Sequence, residues 1–241
     1  MSEGEHPDGD QSLTMVELRT VEQVVTARLR KAIITGALKP GERLAYRDLA
    51  HRFGVSVTPI RIAIRELANE GIVELKPHTG ARVSPLSTDE LEEIFSLRVG
   101  IEGWLALHGA PRLAAEDDRE MNAILDKARA AEKRQDPEAY LRSSWALRMT
   151  CYRAAGKPRL LERLQSLYDH STRYHFLTIA EVYRFKRSLA YLEEFEASCE
   201  RRDGVGAQRT IQDAQYWTLA YLTEAMENAE SSKLEDVTHS G

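Results

Sequence analysis

Apolar residues along this chain recur mostly at helical spacing. Val21, Val24, Val25, Leu29, Ile33 and Ile34 predict a helix through VEQVVTARLRKAIITGAL, stopped by Gly36 and the Lys-Pro-Gly at 39–41. YRDLAHRFG predicts a short second helix closed by Gly54. A third helix follows VSVT: Ser56 and Thr58 are N-cap types, and Pro59 suits a first helical turn, where its missing N–H costs little. Ile60, Ala63, Ile64 and Leu67 fall at i, i+3, i+4 and i+7 and face a core. Thr58, Arg61 and Arg65 share a different face. Gly71 ends the helix, and IVEL and ARVS around Pro-His-Thr-Gly read as a β-hairpin.

After Pro85 the pattern is helical throughout. Ser87 and Glu90 form an S-x-x-E capping box at a new helix start. Breaks at 108–112, 133–137, 154–158, near 180 and at 201–206 divide the remainder into about six helices, the content of an all-α bundle domain. The expected fold class is mainly α, with a winged helix-turn-helix at 17–85 and an all-α bundle at 86–230. An acidic, disordered segment at 1–16 and a flexible tail at 231–241 flank them.

Charge changes the picture. The formal net charge of −5 argues against nucleic acid when taken for the chain as a whole. Yet residues 17–85 carry 12 Lys and Arg against 7 Asp and Glu, while residues 1–16 carry four acids and no Lys or Arg. A basic N-terminal part on an acidic body makes the total misleading. The two cysteines, Cys151 and Cys199, exclude a disulfide framework and a CxxC zinc pattern. The acidic start lacks the features of a signal peptide, and no apolar run reaches the length of a membrane span. A cytoplasmic location and no membrane partner are expected. Hydrophobic residues at 42 % suffice for a full core.

A helix, a tight turn at Gly54, a helix with an open N-terminal end and a hairpin together describe a DNA reader. The third helix can lie in a major groove while the wing touches the flanking backbone. With GERLAYRDLAHRFGVSVTPIRIAIRELANEGIVELKPHTGARV the chain resembles the GntR family of bacterial transcription regulators, over about 65 residues with many fixed points. The helical remainder is similar to the FCD ligand-binding domain of the FadR branch, through LRVGIEGWLALHGA, YRAAGKPRLLERL and RRDGVGAQRTIQDA. The resemblance implies DNA contacts from Arg47, Ser56, Thr58 and Arg61, and from the wing turn His78, Thr79 and Gly80. Geometry adds Arg65 and Arg52 as phosphate contacts. Val57 stands where the family commonly has arginine; it cannot bond a phosphate but can meet a thymine methyl. Ile62 stands at a usually acidic position.

Many FCD domains hold a divalent metal with one Asp and three His. The resemblance places those positions at Ser144, Arg148, Leu192 and Ala214, which do not form a ligand set. No metal and no cofactor are therefore expected. Arg148 instead sets a fixed positive charge where the metal would sit. A buried guanidinium needs a partner, either an anionic effector or an internal acid such as Glu102. Arg98 and Glu102 match the family's R-x-x-x-E and are candidates for the same cavity, with Tyr152, whose core role is the simpler reading. His108, His170 and His175 are expected as surface or satisfied core histidines.

Three functions compete. One is a homodimeric regulator, read as a repressor, that meets a pseudo-palindromic double-stranded operator and is modulated by a small molecule, an organic anion on the strength of Arg148. The sequence gives no sign for the regulation. The second is an enzyme, but the chain has no phosphate loop, nucleophile elbow, HExxH or deaminase zinc motif. The third is a protein-binding adaptor whose winged helix has lost DNA, a reading that Val57 and Ile62 favour.

Overall fold

The computed structural model describes residues 20–76, 80–175 and 182–238. The wing-tip residues His78 and Thr79 and the N-terminal segment 1–16 lie outside the described residues.

The N-terminal head is built from α1 (Val21–Ile34), β1 (Arg43–Leu44), α2 (Tyr46–Phe53), α3 (Val57–Asn69), β2 (Val73–Lys76) and β3 (Gly80–Val83). Thr20 caps α1 in a reciprocal box with Gln23, and Val25, Leu29 and Ile33 form its buried stripe. Val21, counted in the periodic set, is exposed although it continues that stripe, because it stands at the first residue of the helix, beyond its packed part. Gly54 closes α2 at φ 66, a left-handed cap that only glycine adopts without strain. In α3 the expected residues Ile60, Ala63, Ile64 and Leu67 are all buried. The hairpin pairs Val73 with Val83 and Lys76 with Gly80. A two-residue strand that the pattern did not reveal, β1, adds to β3 on its other side, giving the order β1-β3-β2.

The C-terminal body consists of α4 (Thr88–Gly109), a 3-10 turn at Ala110–Arg112, α5 (Ala115–Lys133), α6 (Pro137–Ala154), α7 (Pro158–His175), α8 (Val182–Glu200) and α9 (Gly204–Thr238). The last helix continues into residues 231–238, which composition assigned to the tail. Ser87 accepts from the Glu90 amide to cap α4. That helix buries residues on nearly every side, so it is the central rod, packed along α9 and against α6 and α7. Its Arg98 and Glu102 are buried within this packing.

Close backbone approach at the end of α4 depends on glycine, Gly109 above all. A Cβ on Gly109 would stand 2.1 Å from the Cys151 carbonyl oxygen of α6. Backbone cannot retreat as a flexible side chain can. Gly109→Ala is expected to destabilise the body by about 1–3 kcal/mol through overpacking, read as a lower urea midpoint at unchanged slope.

Candidate nucleic-acid interface and effector cavity

Two surfaces carry chemistry. On the head, α2 and α3 present Arg47, Arg52, Arg61 and Arg65, all exposed. Among the described residues none of these four has an ion pair, not even with the exposed Asp48 of α2, whereas Glu66 of α3 and Glu70 at its C-cap are engaged elsewhere. Glu66 accepts from Thr26 at 2.7 Å and Glu70 pairs with Arg30, both on α1. Ser56 occupies the N-cap position without using its hydroxyl as a cap, and Thr58 lies within the first turn; both are exposed. The hydroxyls and guanidinium groups at the front of α3 are thus free to meet an outside partner. Val57 is half-buried and packs against the head core, so its methyls serve the fold and reach outward only in part. Ile62 is the exposed apolar residue of this face, at 39 %. Gly80 opens β3 at φ 86.

The second surface is internal. A cavity of about 70 Å³ lies between α4, α6, α7, α8 and α9. Arg98, Ser144, Arg148, Leu192 and Ala214 line it, so positions far apart in sequence do converge. Tyr140, Tyr168, Phe185, Tyr191, Phe195 and Trp217 supply an aromatic wall, and His175, Ser188, Thr210, Gln215 and Thr218 add further polar atoms. Glu102 and Tyr152 stand behind the lining. Glu102 is completely buried and takes hydrogen bonds from four side chains. Its Oε1 accepts from Arg98 Nε at 2.8 Å and Gln215 Nε2 at 2.9 Å. Its Oε2 accepts from Arg148 Nη1 at 2.9 Å and the Tyr152 hydroxyl at 2.8 Å. Burial would raise the Glu102 pKa, but Arg98, Arg148 and the Tyr152 hydrogen bond hold it below the usual carboxylate range.

The internal acid foreseen for Arg148 is therefore Glu102. That pairing leaves a surplus, because one carboxylate serves two guanidiniums. Arg98 is satisfied: its Nη1 donates to Ser171 Oγ at 2.8 Å in addition to the Glu102 contacts. Arg148 spends Nε on the Ser144 carbonyl and Nη1 on Glu102. Its Nη2 bonds no described residue, and its side chain keeps 11 % exposure. Burial would lower the Arg148 pKa, but Glu102 and the surrounding phenols keep it raised, so the charge is fixed.

The wall offers a divalent metal one hydroxyl at Ser144, a guanidinium at Arg148 and no donor at Leu192 or Ala214. Among the described residues no three His, Cys, Asp or Glu gather in a metal-holding group. These residues do not fit the divalent metal that the resemblance implies.

Family profiles agree with this architecture. The description "Bacterial regulatory proteins, gntR family" matches residues 21–83, and "FCD domain" matches residues 93–214. The chain belongs to the gntR family of bacterial regulatory proteins and carries an FCD domain. Among curated relatives it is similar to the HTH-type transcriptional regulator McbR of Escherichia coli, 28 % identical over 58 % of this chain and 63 % of that protein. It is also similar to the E. coli transcriptional repressor GlaR, 30 % identical over 62 % and 70 %. The match to the Bacillus subtilis regulator YdhC spans 43 % of that protein, at 36 % identity over 42 % of this chain. Two solved structures show the same fold. E. coli McbR/YncC superposes with a TM-score of 0.77 at 23 % identity, covering 86 % of this chain and 99 % of that one. A GntR-type regulator from Rhodococcus sp. RHA1 gives 0.73 at 18 % identity, covering 85 % and 98 %.

Sequence reasoning missed several participants in this GntR–FCD protein. Gln215 and Ser171 become visible only as partners of Glu102 and Arg98. His170 departs from the expected satisfied histidine: its Nε2 is buried without a hydrogen bond. Burial and Arg173 hold its pKa below the usual histidine value, against Glu90 and Glu70. His175 lines the cavity, and His108 bonds the Trp104 carbonyl at 2.8 Å. Among the described residues no helix is long and apolar enough to cross a membrane.

Glu102→Gln removes the charge that balances two buried guanidiniums. The expected cost is about 3–5 kcal/mol, measured by urea denaturation near neutral pH. The sign with pH follows from the lowered folded-state pKa. The wild-type advantage is complete above the ordinary carboxylate value of 4.5 and is lost as pH falls through the lower value held in the fold.

Proposed function

We propose that this protein is a transcription regulator that binds a pseudo-palindromic operator as a homodimer and is switched by a small organic anion in the helical cavity. The observation that carries DNA binding is the set of exposed arginines on α2 and α3 that no described acid neutralises. Arg47 and Arg61 contact base edges or phosphates, Arg65 and Arg52 phosphates, and Ser56 and Thr58 hydrogen-bond at the open end of α3. Gly80, with His78 and Thr79, takes the wing to the flanking backbone. Two such heads related by a two-fold axis match two half-sites. The repressor names of relatives such as GlaR favour repression as the direction. The adaptor reading loses support from Val57, whose side chain is given to the head core, and rests on Ile62 alone.

Arg148 Nη2 is the receptor for the anion. One surplus positive charge inside an aromatic wall selects a compact, partly apolar monoanion such as a small carboxylate, oriented by a planar donor fork. The path from cavity to head runs through α7. Ser171 holds Arg98 on the cavity side, while Arg173, two residues on, donates from Nη2 to Glu90 at 3.1 Å and from Nη1 to the Ser84 carbonyl at 3.4 Å. Tyr174 donates to Glu90 at 2.5 Å or the Ser87 carbonyl at 3.1 Å. Ser84 in turn donates to the Gly71 carbonyl, just past α3, at 2.6 Å. An anion that draws Arg148 and Arg98 into a new arrangement therefore biases the connector that carries the heads. The coupling a useful switch needs is about 1–3 kcal/mol.

Two outcomes test this reading. Replacing Arg47 and Arg61 together by Ala should lower affinity for an operator selected from random duplexes by tenfold or more, since each lost contact of this type costs about 1–3 kcal/mol. Unchanged affinity at moderate salt removes the DNA-reading face. A panel of small organic carboxylates should raise the melting temperature of the wild type and not of Arg148→Met. Arg173→Ala should keep that shift while its operator affinity stops responding to the same compound.

A further inference from the structure

The outer face of the head's sheet holds a charge arrangement that folding alone does not favour. Arg43 of β1 lies directly opposite Arg82 of β3, and Arg82 lies opposite Glu74 of β2. Because side chains alternate along a strand, Lys76 shares the face of Glu74. The opposite face carries Leu44, Ala81, Val73 and Val83 into the core. Three cations are therefore ranked along one face with a single carboxylate. Glu74 takes Arg82 at 2.7 Å and stands 3.8 Å from Lys76. Arg43 has no ion pair among the described residues. The neighbouring acid, Glu42, is turned away to accept from the Lys39 amide at 2.8 Å.

Like charges paired across a ladder repel one another. A protein free to choose would place an acid or a threonine opposite Arg82. Arg43, Lys76 and Arg82 instead line a cleft whose edge is formed by Gly41 and Gly80. A Cβ built at either glycine would meet no atom within 4 Å, so the cleft mouth is open. Gly80 is also the first residue after the wing turn, which makes the cleft continuous with the wing. Arg43 is exposed, and three residues separate it from Arg47 on α2. The face is thus positive, open and next to the DNA-reading elements.

We infer that Arg43, with Lys76, receives a DNA backbone phosphate beside the wing, so that the sheet face is a second phosphate-binding surface beyond the reading helix. This inference rests on the DNA-binding reading above. The phosphate supplies the negative charge that the Arg43–Arg82 pair lacks: Glu74 fixes Arg82 at 2.7 Å and holds Lys76 only at 3.8 Å, so Arg43 remains the unpaired donor with Lys76 beside it. Such a contact reads charge and carries no base sequence.

The experiment is a salt titration of the full-length protein on an operator duplex selected by the wild type from a random library, followed by fluorescence anisotropy from 50 to 200 mM salt. Each neutralised phosphate contributes about 0.9 to the slope of log affinity against log salt. Arg43→Ala in both heads of a dimer should flatten that slope by about 1.8 and leave base preference at every operator position unchanged. Arg43→Lys, which keeps the charge, should restore most of the slope, which a purely structural role would not require. Lys76→Ala should act in the same direction. If the wild type binds with a steep slope and Arg43→Ala leaves it unaltered, the sheet-face contact is overturned while DNA reading stands. If the wild type selects no duplex at all, the DNA reading itself fails and takes this inference with it.

Discussion

One carboxylate organises the body of this molecule. Glu102 has no access to water, and burying its charge would be prohibitive without the donors that surround it. Arg98 and Gln215 hold one oxygen; Arg148 and Tyr152 hold the other. These partners come from α4, α6 and α9, so the position of a single side chain fixes how three helices meet. The same contacts orient Arg148 toward the cavity and pin Arg98 where it can reach Ser171 on α7. Cavity chemistry and helix packing are therefore one arrangement, and a change in the first cannot leave the second alone.

Helix α7 extends that arrangement to the head. Ser171 faces inward to Arg98, and Arg173 and Tyr174 close on the 84–90 connector. The joint is also where His170 lies buried with an unpartnered ring nitrogen, near Gly71, where an added Cβ would stand 3.6 Å from the imidazole. A joint built from long side chains, with one polar atom unsatisfied, holds its parts less firmly than an apolar core does. A connection of that kind is firm enough to transmit a change and loose enough to have two settings, as the proposed switching requires.

Much of the head was legible because its signals are local. Gly54 demands a left-handed cap, Ile60, Ala63, Ile64 and Leu67 repeat every three to four residues, and the wing runs are short and β-prone. β1 escaped because two residues carry no period, and with it went the opposition of Arg43 and Arg82. In the body, helix boundaries were readable from glycine, proline and polar breaks. Convergence was not: Gln215 lies 113 positions from Glu102, and only tertiary packing joins them. Spacing on α4 did suggest the pair Arg98 and Glu102, one helical turn apart. It did not show that Arg148 would share the same carboxylate and leave a charge over. Val57 shows the opposite limit, since its place at the front of α3 was clear while its inward packing was not.

The surplus guanidinium separates this cavity from a metal-bearing one in physical terms. A bound metal can be lost, exchanged or outcompeted, and its ligands must be deprotonated before they hold it. Arg148 keeps its proton throughout the pH range in which a protein stays folded. Its own charge therefore depends neither on metal supply nor on proton concentration. The guanidinium also presents a planar fork, which favours a carboxylate in a defined plane over a spherical ion. Glu102 keeps this charge tolerable without cancelling it, because Arg98 already claims half of the carboxylate. Replacing Arg98 by a neutral residue would leave Arg148 and Glu102 as a closed pair with no charge left over. The second arginine is thus what keeps the charge of the first uncancelled.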